Sequence, residues 1–210
     1  SPCYDSSNKY RIWQYECQKF MKEIKKDGRK LRSESTADLI LNTALKIVRK
    51  GDIDISFDAI AKEAKIGSRT IFRHFKDKEA LQENLDQVLA DEFTNAFLSI
   101  DREDHLEKRI ENLSTVLIQL YVKNQNILRW TLKNVWRDKT LRKNMFSWNQ
   151  ILRDFVYSIL PEIQNKKKPE REIIFECISF IFFLRLNVVQ GLDDKQIKEI
   201  FILNTKKYLS

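Results

Sequence analysis

The sequence predicts an all-α fold, and three observations carry that prediction. Apolar residues recur three and four apart along most of the chain, no stretch alternates apolar and polar residues, and only four glycines and three prolines interrupt 210 residues. Gly28, Gly51, Gly67 and Gly191 each fall where a helical pattern ends, the place that favours an unwound or left-handed residue. With 42% apolar and 11% aromatic content, the chain can bury a sizeable core.

Residues 1–9 show no pattern. Trp13, Cys17, Phe20 and Ile24 then recur at helical spacing until KKDGRKLR interrupts them, which predicts an amphipathic helix followed by a basic tether of Lys25, Lys26, Arg29, Lys30 and Arg32. Such a stripe most often packs on its own chain or a partner, while the tether has the composition of arms that reach a minor groove or a phosphate backbone. The next helix is predicted to start near Ser35, which forms a capping-box-like pair with Asp38, and to turn Ile40, Ala44, Ile47 and Val48 inward until Gly51. Ser56 is placed to cap a short helix with Phe57, Ile60, Ala61 and Ala64 on one face. Ile66 and Gly67 break that pattern, and a second short helix begins at Ser68 with Ile71 and Phe75 facing the core.

A long helix follows from Glu79 to about residue 100, through Leu81, Leu85, Val88, Leu89, Ala96 and Phe97. Further helices read over 104–123, 125–135, 139–163, 170–190 and 193–208, with the lysine run 166–168 and Pro169 marking a loop. The last two helices are apolar nearly all round. Phe175, Ile178, Ile181, Phe182, Leu186 and Val189 in one, and Ile197, Ile200, Phe201 and Leu203 in the other, require burial on more than one side, which an intermolecular four-helix bundle would provide. The predicted organisation is an extension over 1–32, a three-helix domain over 33–80 and a helical domain over 81–210.

Residues 56–78, SFDAIAKEAKIGSRTIFRHFKDK, carry the most chemistry. Opposite Ile71 and Phe75, the second short helix sets Arg69, Thr70, Arg73 and His74 in one outward strip of donors. Basic residues on a helix usually do no more than solvate it, but a preceding helix and tight turn make this a helix-turn-helix. Arginine there can bind guanine in bidentate fashion while the other donors meet phosphates. Charge is distributed accordingly. Residues 1–80 hold 18 Lys/Arg against 12 Asp/Glu, a surplus of +6, and residues 81–210 hold 20 against 18, a surplus of +2.

The order of three short helices, the segment TIFRHFKDKEAL from Thr70 to Leu81, and the longer all-helical remainder resemble the TetR family of bacterial transcriptional regulators. The resemblance is specific over roughly 35–85 and rests beyond that on helix count and the apolar final pair. It implies a homodimer through helices near 170–190 and 193–208 that binds a palindromic double-stranded DNA operator. It further implies repression, relieved when a small molecule enters the C-terminal ligand-binding and dimerisation domain; the aromatic content of that domain predicts a hydrophobic or aromatic effector. Carried over by position, Arg69, Thr70, Arg73 and His74 would meet bases or phosphates, Phe72 would lie beside the sugar-phosphate backbone, and Lys78 would meet a phosphate. The full candidate DNA-binding set adds Ser56, Ser68 and Lys76, with Arg29, Lys30 and Arg32 from the tether. Three positions depart from the family pattern: Phe72 replaces a frequent tyrosine, Lys65 a frequent glycine and Gly67 a frequent serine. The last two are expected to cost on the order of 1 kcal/mol in turn strain or capping.

Trp130, Trp136, Phe146, Trp148, Phe180 and Phe183 are the candidate lining of an effector pocket, with Phe155 and Tyr157 nearby in sequence and Arg129, Arg185 and Asn187 as weaker polar candidates. Core packing accounts for the same aromatics. Two rival functions are an architectural or interaction protein whose helix-turn-helix reads no sequence, and a small helical enzyme. The enzyme reading lacks equipment: no glycine-rich phosphate loop, no metal-ligand spacing, no cofactor motif, and only His74 and His105 as histidines. Cys3, Cys17 and Cys177 are odd in number and far apart, which supplies neither a disulfide framework nor a zinc site. The longest apolar run, 173–189, contains Glu176 and Arg185 and is too short for a membrane span. With no secretory-signal pattern, the expected location is the cytoplasm.

Overall fold

The computed structural model describes residues 28–53, 55–137 and 139–209, and every regular element among them is helical. The helix predicted through Trp13, Cys17, Phe20 and Ile24, with Lys25 and Lys26, lies outside the described residues. The chain divides into two compact units, residues 1–39 and 40–210.

Helix α1, Gly28–Arg49, crosses that division and corrects the sequence reading at its start. Gly28 begins a helix here, and the tether residues Arg29, Lys30 and Arg32 have helical backbone. Ser35 therefore lies two turns inside the helix and caps nothing. Lys, Arg, Leu, Glu and Ala are all strong helix formers, and a run of them extends a helix past a local capping signal. The other end follows expectation: Gly51 adopts φ 109° just beyond α1. Ile40 and Ala44 are fully buried.

Helices α2 (Phe57–Ala64) and α3 (Ser68–His74) form the short pair, and α4 (Lys78–Leu98) leads away from them. Helix α5 runs unbroken from Leu106 to Asn134, where the sequence pattern suggested two helices. The apparent break at Asn124 is instead a buried junction. Its amide donates to Leu120 O at 3.1 Å and Glu92 Oε1 at 3.2 Å and accepts from Arg49 Nε at 3.0 Å, so the polar side chain is satisfied without unwinding the helix.

Helix α6 (Lys139–Ile159) stops short of the predicted 163, because Pro161 cannot continue it and opens a 3-10 turn over Pro161–Asn165. Helix α7 (Lys168–Cys177) takes Lys168 and Pro169, expected in a loop, into its first turn, where a missing N–H costs nothing. The predicted helix over 170–190 is divided. Ser179 accepts from Phe182 N at 3.1 Å and caps a new helix, α8 (Phe180–Leu184), which passes into a π turn over Arg185–Val189. Helix α9 (Asp194–Leu209) begins with a reciprocal capping box: Gln196 N donates to Asp193 Oδ1 at 2.8 Å, and Asp193 N donates to Gln196 Oε1 at 3.0 Å.

The C-terminal core is built on α5 and α9, where Ile110, Leu113, Leu117, Ile197 and Phe201 are all buried. Phe97 of α4 stacks on Phe155 of α6 with ring centroids 5.2 Å apart. Tyr121 donates to Ile178 O at 2.8 Å, and burial pushes its phenol pKa upward. Arg109, 8% exposed, clasps the ends of α5 and α6 by donating to Asp104 O, Ile159 O and both carboxylate oxygens of Glu162.

A second polar junction joins α1, α4 and α5. Glu92 accepts from Arg49 Nη2 at 2.6 Å, Lys123 Nζ at 2.8 Å and the Asn124 amide, while Asn126 Nδ2 donates to Arg49 O at 2.8 Å. Burial alone would raise the Glu92 pKa, but the hydrogen bonds from Lys123, Asn124 and Arg49, with the Arg49 charge, outweigh it and hold the carboxyl below its ordinary value. A depressed folded-state pKa gives stability that is present above the unfolded value near 4.5 and is lost as pH falls through the folded value. Glu92→Gln is accordingly expected to lower stability by about 1–3 kcal/mol at pH 7, and by less as pH falls below about 4. Urea denaturation of both proteins across that range checks the sign.

Candidate nucleic-acid interface

The local sequence sets the position of each side chain on the α2–α3 pair. Ser56 accepts from Ala59 N at 3.1 Å and caps α2, which buries Phe57, Ile60 and Ala61. Lys65 then takes the left-handed conformation, φ 55° and ψ 43°, and Ile66 N reaches back to Ala61 O at 3.0 Å. This closure ends the helix, at a position where glycine carries no Cβ penalty. Gly67 is the extended N-cap of α3 and supplies no capping side chain. Ser68 Oγ donates to Asp58 Oδ1 at 2.7 Å, tying the start of α3 to the first turn of α2.

With Ile71 fully buried and Phe75 4% exposed, α3 is anchored by one face. Arg69 and Arg73 are exposed on the other, with Thr70 and His74 half-buried beside them. The expected strip is thus assembled, but its members differ. His74 Nε2 is buried and has no hydrogen-bond partner among the described residues. Phe72 is 58% exposed and rests edge-on against Phe57, with centroids 4.9 Å apart, so the ring that lacks a tyrosine hydroxyl is held in place by the α2 core. Lys76 is exposed in the following turn, and Lys78 is the first residue of α4, whose cap Asp77 accepts from Ala80 N at 2.8 Å. Ser56 and Ser68 use their hydroxyls within the motif. Arg29, Lys30 and Arg32 belong to the other compact unit, and their side chains lie outside the described atoms.

The turn departures lead to a stability prediction. Lys65→Gly removes a left-handed non-glycine residue, and a Cβ at Gly67 would meet nothing within 4 Å, leaving room for a serine cap. Each of Lys65→Gly and Gly67→Ser is expected to raise stability by about 0.5–1 kcal/mol. Thermal melting of the two single variants and the double variant measures this, and a lowered melting temperature for Lys65→Gly would contradict it.

Residues 40–85 match the family model for bacterial regulatory proteins of the tetR family. Over these residues the helix-turn-helix is similar to that of the TetR family. The fold beyond it agrees, since solved TetR-family structures share the arrangement of an N-terminal helix-turn-helix and a C-terminal helical domain. A transcriptional regulator from Rhodococcus sp. Rha1 superimposes with a TM-score of 0.65 at 10% identity, over 82% of this chain and 95% of that one. A candidate TetR-family transcriptional regulator from Mesorhizobium loti MAFF303099 superimposes with a TM-score of 0.61 at 16% identity, over 85% and 96%. The multidrug binding protein EbrR, solved in complex with imidazole, gives a TM-score of 0.54 at 15% identity, over 81% and 89%. No curated protein sequence matches the chain significantly.

Within the C-terminal helices the six effector-pocket candidates separate. Phe180 and Phe183 pack on Tyr121, with centroids 5.4 and 5.7 Å from its ring, and Phe183 is 2% exposed. Trp148 packs on Phe93 at 6.1 Å, and Trp130 is half-buried. Trp136 and Phe146 stand on the surface, 78% and 66% exposed. Sequence reasoning missed the Asp58–Ser68 tie and the Arg49–Glu92–Asn124 junction. The first had a local signal, an acid in the first turn of α2; the second joins residues up to 75 positions apart and had none. Among the described residues no cluster of three potential metal ligands occurs, and no helix is long and apolar enough to cross a membrane.

Proposed function

We propose that the chain is a sequence-specific, cytoplasmic transcriptional repressor, without enzymatic activity or cofactor, that binds a palindromic operator as a homodimer and is released by a small hydrophobic or aromatic effector. The observation that carries this reading is α3 itself: Arg69 and Arg73 are exposed with Thr70 beside them, on a helix fixed by Ile71, Phe75 and the Asp58–Ser68 bond. A rigid helix with two free guanidinium groups suits bidentate reading of guanine in a major groove. The reading domain is taken as 33–80, and the effector-binding and dimerisation domain as 81–210.

Dimerisation is supported by apolar surface left uncovered on the last elements. Ile173, Ile181, Val188, Val189 and Leu203 are between 40% and 70% exposed, apolar side chains that a second copy would cover. For the effector, Trp130, Trp148, Phe180 and Phe183 remain the candidate apolar walls, and imidazole bound by EbrR is a small-molecule precedent in a similar fold. Selection of bound sequences from random duplex DNA tests the function. The expected result is a palindromic consensus bound at least 10³-fold more tightly than random DNA at physiological salt, whereas equal binding of all sequences would favour an architectural protein. Sedimentation at micromolar concentration is expected to give a dimer, and Val189→Asp with Leu203→Asp a monomer.

A further inference from the structure

Trp136 and Phe146, the two exposed aromatics among the pocket candidates, lie in the most cationic stretch of the C-terminal domain. Residues 129–146 hold six Lys/Arg (Arg129, Lys133, Arg137, Lys139, Arg142, Lys143) and one acid, Asp138. Removing them from the domain totals of 20 and 18 leaves 14 Lys/Arg against 17 Asp/Glu, so the rest of 81–210 is net negative by three. The corner is also built. Val135, 1% exposed, pins it to the core, and Arg142 donates to Trp136 O at 2.8 Å across the turn. Lys139, Arg142, Lys143 and Phe146 line an open depression of about 440 Å³. Among the described residues none of these three cations has a carboxylate partner.

Helix direction puts this corner at the DNA-reading end of the domain. Phe93 meets Trp148 and Phe97 meets Phe155, so α4 and α6 run parallel, and the first turn of α6 lies toward the start of α4, next to the helix-turn-helix. At about 1.5 Å per residue, Lys78 lies about 22 Å along α4 from Phe93, and Lys139 about 14 Å along α6 from Trp148. Lys139 therefore comes within about 10 Å of the level of Lys78, measured along the axes.

We propose that the α5–α6 corner is a second duplex-binding surface, in which Lys139 and Lys143 meet phosphates flanking the operator and Phe146 and Trp136 pack against the adjoining deoxyriboses. The inference rests on the DNA-binding reading above and extends it from the helix-turn-helix to the regulatory domain. Charge selects the occupant: a concentrated cationic surface beside a DNA reader on an otherwise acidic domain complements the polyanion already engaged there. The contact would be indifferent to sequence, since phosphates and sugars position a protein without carrying base information.

The test compares wild type with the exposed-site variant Lys139→Ala/Lys143→Ala on a selected operator, once as the core duplex and once with about 10 base pairs added at each end, from 50 to 200 mM salt. Arg142 is left intact because it closes the turn. Wild type is expected to bind the longer duplex more tightly. The variant is expected to lose that advantage, to keep the wild-type melting temperature, and to show a salt slope lower by about 1.8 per chain, or about tenfold less affinity lost over that range. Equal slopes and an equal length advantage in the two proteins would overturn the proposal and leave the corner to an acidic protein partner. Length and slope are read equally well on random duplex, so a wild type without sequence preference would sink the regulator reading while the flank contact was still decided on its own.

Discussion

Arg109→Ala is expected to lower the stability of the protein by about 3 kcal/mol or more, the largest effect of any single polar substitution in the C-terminal domain. Arg109 is 8% exposed, and its guanidinium fixes three places at once: Asp104 O ahead of α5, Ile159 O at the end of α6, and the Glu162 carboxylate in the 3-10 turn. Its hydrogen bond to Glu162 raises the Arg109 pKa against an opposing burial effect, and the same bond holds the Glu162 carboxyl below its ordinary value. Truncation removes the donors, leaves the buried Ile159 carbonyl without its guanidinium partner and opens a void beside Asp104 O and the one-third-exposed Glu162 carboxylate, which costs more than the net value of the bonds. Glu162→Gln should cost less, because the amide can still accept from the guanidinium and the two carbonyls keep their partner. Denaturant unfolding of both variants orders them, and a loss below 1 kcal/mol for Arg109→Ala would show that water replaces the clasp.

Arg73→Ala is expected to weaken operator binding by about 1–3 kcal/mol, roughly 5- to 150-fold, and to relax preference at one or two base pairs without altering stability. The separation of effects follows from position. Arg73 is exposed on α3, whose seat depends on Ile71 and Phe75 on the opposite face. Repeating sequence selection with the variant reads the relaxed positions directly. Binding and consensus unchanged from wild type would remove Arg73 from the base-reading set. Arg69, one turn earlier on the same face, should shift different base pairs.

The parts of the fold that were legible in the sequence are those decided by neighbours a few residues away. The Ser56 cap and the burial of Phe57, Ile60, Ala61, Ile71 and Phe75 depend on spacing within a turn or two, whereas the strain at Lys65 was legible through the family resemblance, which has a frequent glycine there. The errors came where local signals met a longer-range context. Asn124 looked like a helix break because its partners, Arg49 and Glu92, are 75 and 32 residues away. Ser35 looked like a cap because its pairing with Asp38 says nothing about the helix formers preceding it. The division of 170–190 had a signal, Ser179, that apolar periodicity overrode. On the interface, sequence placed the strip on one helix face, but the burial of His74 Nε2 depends on packing that spacing does not encode.

The junction of Arg49, Glu92 and Asn124 gives the protein two independent experimental handles. Its charges are about one-fifth exposed, so added salt screens them weakly, whereas phosphate contacts made from an open helix face weaken steeply as salt rises. Acid acts on the junction instead, since protonating Glu92 removes the charge that Arg49 and Lys123 hold. Salt titration thus detaches the reader from DNA with the link between α1, α4 and α5 intact, and acid loosens that link only once the pH falls below the ordinary carboxyl value of 4.5.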